Sequence, residues 1–252
     1  APPRNLLDYA RFVGEVAKRY KGRIRAYEIW NEPDIGFWSG SMAEYADLLK
    51  TGYIAAKQAD PNCQIVFGGM AGVNIPFLKT IYEFGGRDFF DVMAVHPYQW
   101  GPEFNDDWFV KQLSDLRKLM NENGDTHKEI WLTELGWSTG DKGITEDIQA
   151  RLLTQAMVTA KTLEKMGVTR TFWFCVKDWG GPGYGLLRPD GSKKPAFTAY
   201  SVLTKALRDA YYVGKVDLGR GVRCHVFRNH RTGALVAAIW AQKETKVKLP
   251  GK

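Results

Sequence analysis

One helical period followed by five repeats of strand and helix is the pattern that most restricts what this chain can become. From Asn5 the apolar residues Leu6, Tyr9, Phe12, Val13, Val16 and Tyr20 recur at three and four, an amphipathic helix with Asn5 as cap and Gly22 as stop. A strand is predicted over 24–30. The Ser41 to Glu44 spacing of a capping box then opens a helix that Pro61 ends. Further strands are predicted over 65–67, 92–98, 130–134 and 171–176. Between them fall a helix over 77–84, one through Val110, Leu113, Leu116, Leu119 and Met120, and one from Thr145 to Gly167. A last helix carries Ala199, Val202, Leu203, Ala206 and Leu207. Strict alternation of this kind requires a parallel sheet with helical crossovers, either an open doubly wound sheet or a barrel.

The position of polar residues separates the two. Every strand of a barrel opens into one mouth, whereas an open sheet gathers its chemistry at a single switch point. Glu32, Tyr98, Glu134 and the 173–179 stretch all lie at or just past predicted strand ends. No Gly-rich phosphate loop opens a helix; Gly68-Gly69-Met70-Ala71-Gly72 comes nearest and lacks both lysine and spacing. The fold class expected is therefore an α/β barrel over residues 1–210. Beyond Ala210 short strands are predicted over 222–227, 234–240 and 246–249, with a turn over 229–233. Residues 211–252 read as an incomplete β-rich accessory segment, since three strands with one apolar face are marginal alone.

Composition narrows the partners. With 44% hydrophobic residues disorder is excluded, and no run approaches the roughly 18 apolar residues of a membrane helix, so no membrane partner is expected. The formal charge of +7 resides in residues 211–252, which hold nine Lys and Arg against two Asp and Glu, while residues 1–210 balance. A basic surplus scattered over a short β-rich tail, and not interleaved with stacking aromatics across one working face, argues against nucleic acid. Cys63, Cys175 and Cys224 are too few and too widely spaced for a disulfide framework or a zinc site, and Cys175 is expected as a buried free thiol. His96 has no second His or Cys at ligand spacing, so no metal or other cofactor is expected.

The segments Tyr27-Glu28-Ile29-Trp30-Asn31-Glu32-Pro33, His96-Pro97-Tyr98, Thr133-Glu134 and Phe172-Trp173-Phe174 resemble, in order and spacing, strands four, six, seven and eight of the clan A glycoside hydrolases. Residues 185–200 and the β-rich tail most resemble family 39 and its uncharacterised relatives. The resemblance implies a (β/α)8 TIM barrel of which this chain carries strands four to eight. Strands one to three are then missing, and the missing N-terminal part of the same barrel becomes an expected partner. Glu32 would be the acid/base and Glu134 the nucleophile. Tyr98 would hydrogen-bond Glu134, Asn31 would contact the sugar 2-hydroxyl, and Trp173 would floor the central subsite.

The resemblance implies hydrolysis of a β-glycosidic bond, and if the two carboxyl groups lie about 5–5.5 Å apart, no room is left for a water beneath the sugar and configuration is retained. The charge of Glu134 is expected to raise the pKa of Glu32. His96 is expected as a hydrogen-bonded residue of the same site. Trp137 and Trp179 are candidate sugar platforms with core packing as the equal alternative, while Trp38, Trp100 and Trp108 read as packing or rim. Glu28 reads as an interior hydrogen-bonding residue, and Asp34, Lys177 and Asp178 as contacts to outer sugars or as loop ties. A carbohydrate substrate suggests a secreted or periplasmic protein. A non-catalytic carbohydrate-binding barrel fragment and a transglycosylase are the alternatives, the latter sharing every residue with the hydrolase.

Overall fold

The computed structural model describes residues 1–141, 143–181, 183–219, 221–241 and 243–247. Helix α1 (Leu6–Arg19) starts where the Asn5 side chain accepts from the Leu7 N–H. It is followed by β1 (Ala26–Ile29) and by α2 (Met42–Ala59), whose capping box between Ser41 and Glu44 is complete in both directions. Strands β2 (Gln64–Phe67) and β3 (Met70–Ala71) precede α3 (Ile75–Glu83), which starts ahead of the predicted position because Asn74 caps it and Pro76 sits in its first turn. Then come β4 (Val92–His96), α4 (Asp106–Glu122), β5 (Glu129–Leu132), α5 (Glu146–Thr162), β6 (Val168–Thr171) and α6 (Pro195–Leu207). The chain continues through β7 (Ala210–Lys215), β8 (Val222–Asn229) and β9 (Leu235–Ala241). No helix among the described residues is long and apolar enough to cross a membrane.

Two compact units emerge. The first comprises Ala1–Tyr98, Lys111–Leu135 and Met166–Trp173. It holds a parallel sheet in the order β1-β2-β4-β5-β6, with short β3 beside β4. Because successive side chains in a strand face opposite ways, each strand feeds two cores. On one face Val66, Val92, Ala94 and Trp131 pack together with Ala26. On the other, Phe67 meets Tyr45 of α2 and Phe77 of α3, both edge-on.

The second unit comprises Gln99–Val110, Gly136–Lys165 and Phe174–Lys252. Its antiparallel sheet, ordered β7-β8-β9, shares a core with α5 and α6 through Val158, Leu207, Ala210 and Phe227. Leu203, Ala206, Tyr212 and Trp240 flank that cluster, so helices cover the apolar face that three strands alone would leave wet.

Three expectations are corrected. The strand predicted over 171–176 is β6, which begins three residues earlier and ends five residues earlier. The Phe172 N–H makes a last rung to the Leu132 carbonyl at 2.8 Å, and the backbone of Cys175 and Val176 instead accepts from Leu186 and Leu187. Cys175 is accordingly only half-buried. Strand β7 was not expected, since its alternation is masked by two adjacent tyrosines. The strand predicted over 246–249 does not form at Lys246 and Val247, and residues 248–249 lie outside the described residues.

Candidate active site

Strand parity builds the site. Ala26, Ala94 and Trp131 share the apolar face just described, so residues two positions on, Glu28, His96 and Thr133, rise from that same face at the strands' C-terminal ends. They form a polar layer above an apolar floor. The Thr133 hydroxyl donates to Glu28 Oε1 at 3.2 Å, His96 Nε2 lies 3.0 Å from Thr133 Oγ1, and the Gly69 N–H donates to Glu28 Oε1 at 2.9 Å. Above this layer His96 Nδ1 lies 2.9 Å from Glu32 Oε1 and 3.8 Å from Glu134 Oε2. The Tyr98 hydroxyl donates to Glu134 Oε2 at 2.9 Å.

Glu32 reaches the cluster through a turn that departs from strand alternation. Trp30 and Glu32 have φ of 76° and 45°, the left-handed region that costs a non-glycine residue roughly 1–2 kcal/mol. Several contacts hold the turn. The Glu32 N–H donates to the Gly69 carbonyl at 3.0 Å, and the Trp30 indole donates to the Phe37 carbonyl at 3.2 Å. Buried Trp38 packs edge-on against the Trp30 ring. Asp34 accepts from the Ala71 N–H and the Asn74 side chain, which makes it a loop tie.

The glycine pair after β2 has the opposite property, a need for no side chain at all. A Cβ on Gly69 would stand 2.1 Å from His96 Nε2 and 2.8 Å from Glu28 Oε1, and one on Gly68 would stand 2.2 Å from the Ile29 carbonyl oxygen. Backbone there passes directly against the polar layer.

Electrostatics follow from this enclosure. Although its side chain keeps 27% exposure, desolvation by the surrounding strands pushes Glu28 up to about 7, with hydrogen bonds from Gly69 and Thr133 pulling the other way and the charge of Glu134 adding to the rise. Glu32 is also raised, by burial first and by the charge of Asp34 second, in place of the Glu134 charge expected to do so. His96 is lowered by burial, against the pull of Glu134 and Asp34. One polar atom each of Glu32, His96 and Glu134 lie within 4.8 Å of one another, the one such trio of potential ligand atoms among the described residues. Both ring nitrogens of His96 already face partners inside the cluster, so the arrangement is complete as a hydrogen-bonded network.

The remaining expected residues fall out as follows. Asn31 is exposed and makes no hydrogen bond among the described residues. Trp173, in the first unit, is 9% exposed. Trp137 is a correction: at 1% exposure and packed edge-on against Phe104 in the second unit, it offers no face to a sugar. Trp179, in the same unit, is 63% exposed with Phe174 against its edge. Asp178 is a loop tie, bonded to buried Lys194 at 2.6 Å. Sequence reasoning passed over Thr133 as a hydroxyl and Gly69 as a cradle, although parity with Trp131 and the paired glycines after a buried strand were the available signals.

Residues 13–200 match the family described as "Glycosyl hydrolase catalytic core". A beta-xylosidase of Caldicellulosiruptor saccharolyticus is 25% identical over 266 aligned residues, covering 93% of this chain and 54% of its own length. Among solved structures, a monomeric beta-xylosidase from Caulobacter crescentus CB15 has a TM-score of 0.69 at 19% identity, over 98% of this chain and 55% of its own. The GH39 enzyme from Xanthomonas axonopodis pv. citri has a TM-score of 0.64 at 16% identity, over 88% and 50%. At such identities these two likenesses are of fold. The chain spans about half the length of the relatives it matches.

Proposed function

Because the chain belongs to the glycosyl hydrolase catalytic core family, we propose that it carries the two catalytic carboxyl groups of a retaining β-glycosidase. In this reading β1, β2, β4, β5 and β6 are strands four to eight of a (β/α)8 barrel, with the remaining strands supplied by chain outside these 252 residues, and residues 211–252 open an accessory β domain. Relatives about twice as long support that arrangement, and their names make a β-xyloside the first substrate to try.

The observation that carries the reading is the approach of Glu32 and Glu134, polar atoms of which lie within 4.8 Å of each other beside His96. An oxygen of each carboxyl group within 4.8 Å of the other supports direct attack by one carboxylate, the arrangement of groups about 5–5.5 Å apart, over an inverting one, whose groups stand about 6.5–9.5 Å apart. Glu134 attacks the anomeric carbon as the glycosidic C–O bond breaks, and Glu32 gives its proton to the departing oxygen. Water then cleaves the glycosyl ester, losing its proton to Glu32. A raised pKa suits Glu32 to the first step, since it begins protonated nearer neutral pH. The Tyr98 hydroxyl orients Glu134 for attack. Exposed Asn31 is free to meet the sugar 2-hydroxyl, and Trp173 remains the proposed subsite floor.

A 2-deoxy-2-fluoro β-xyloside with a good leaving group tests this by intact mass and peptide mapping. Stoichiometric label on Glu134, and loss of aryl β-xyloside turnover by on the order of 10⁴-fold in Glu134→Ala, are expected. Label on another residue, no label, or unchanged turnover in the variant overturns the assignment.

A further inference from the structure

The hydrogen bonds of the polar layer have a direction. Glu28 Oε1 accepts from the Gly69 N–H and, whether the carboxyl group is ionised or carries its proton on Oε2, also from the Thr133 hydroxyl, which spends its single proton there. Thr133 Oγ1 can then only accept from His96 Nε2, 3.0 Å away, which places the ring proton on Nε2. In a neutral imidazole the other nitrogen is an acceptor. Nδ1 lies 2.9 Å from Glu32 Oε1, so a protonated Glu32 is what completes the chain. The chain runs from Glu32 through His96 and Thr133 to Glu28, each donor facing one acceptor.

We propose that Glu28 is a positioning residue for the acid/base: through Thr133 it selects the Nε2–H tautomer of His96, which leaves Nδ1 to hold the proton that Glu32 delivers. The proposal deepens the glycosidase reading and rests on it for the role of Glu32, while the tautomer itself follows from the geometry alone. Burial supports the same state, lowering His96 and raising Glu32. Charged groups facing the pair are all acidic: Glu28 on β1, Asp34 in the loop after it, and Glu134 after β5. The close approach of Gly69 backbone keeps any side chain out of the gap between Glu28 and His96. Without an acceptor at Glu28, Thr133 is free to turn its proton toward Nε2. The ring proton then moves to Nδ1, where it donates to an ionised Glu32 and stabilises the wrong form for the first step.

Ring-nitrogen NMR of the whole chain, labelled with ¹⁵N-histidine, reads this without any need for turnover. Wild type is expected to show His96 as the Nε2–H tautomer at neutral pH. Glu28→Ala and Thr133→Val are expected to shift it toward Nδ1–H, and Glu28→Gln, whose amide oxygen still accepts, is expected to keep the wild-type pattern. In turnover, Glu28→Ala should move the basic limb of the kcat/KM profile to lower pH by on the order of one unit. It should also penalise poor leaving groups more than activated aryl ones. An Nδ1–H tautomer in wild type, or an unchanged one in both disruptive variants, overturns the proposal; if Glu28→Ala fails to fold, Thr133→Val decides alone. Failure of the fluoroxyloside to label Glu134 would instead count against the glycosidase reading and leave the tautomer result standing.

Discussion

Tyr98 and Glu134 form the contact in this cluster whose chemical cost is simplest to isolate. A phenol donating at 2.9 Å to the carboxylate proposed as nucleophile orients it and then loses its charged acceptor when the glycosyl ester forms. Tyr98→Phe removes the donor and little volume. Turnover of an aryl β-xyloside should fall by about 10²–10³-fold, the range seen when one preorganised donor is removed from a reacting centre, with thermal stability nearly unchanged. Equal losses in turnover and melting temperature would mean that the hydroxyl serves packing instead. Gly69 shows the complementary constraint. Its absent Cβ makes room for His96 and Glu28, so the residue with no functional group is as necessary to the geometry as those with one.

Among the elements, the segment after β6 is where local pattern and observed structure part most widely. The apolar run Phe172 to Val176 has strand composition, yet only Phe172 bonds back to β5, and the backbone partners of Cys175 and Val176 come from residues 184–187. What holds that loop is an ion pair: Lys194 Nζ lies 2.6 Å from Asp178 Oδ2, both side chains are almost fully buried, and the Gly185 N–H donates to the other carboxylate oxygen. Removing one member strands the other charge away from water. Lys194→Met should therefore destabilise the protein by about 3–5 kcal/mol in urea, while the double variant Lys194→Met/Asp178→Leu should recover much of that loss. A single variant within 1 kcal/mol of wild type would show the pair to be solvated.

Over the whole molecule, Glu28 and buried His225 oppose each other between pH 4 and 7. Glu28 rises to about 7 in the folded chain, so between its unfolded value and 7 the folded state binds more protons, and stability falls as pH rises. His225, 3% exposed and facing Lys215 and Arg223, is lowered to about 4, chiefly by burial. There the unfolded state binds more protons, and stability is lost as pH falls from about 6.5 toward 4. Urea unfolding from pH 4.5 to 6.5 should slope more steeply downward with rising pH in His225→Phe than in wild type, and more steeply upward in Glu28→Gln. Parallel slopes in all three proteins would remove both groups from the pH dependence. As for what could be read in advance, the order of helices and strands, the caps at Asn5, Ser41 and Thr145, and the placing of Glu32, Tyr98 and Glu134 at strand ends all depend on residues within about four positions of one another. They were visible in the sequence for that reason. Four matters were decided only by tertiary structure: the left-handed turn that swings Glu32 onto His96, the glycine backbone against Glu28, the early end of β6 and the burial of Trp137. Each of these is set by an atom distant in the chain, the Gly69 carbonyl, the His96 ring, the backbone of residues 184–187 or the Phe104 ring, and no local period encodes such a neighbour.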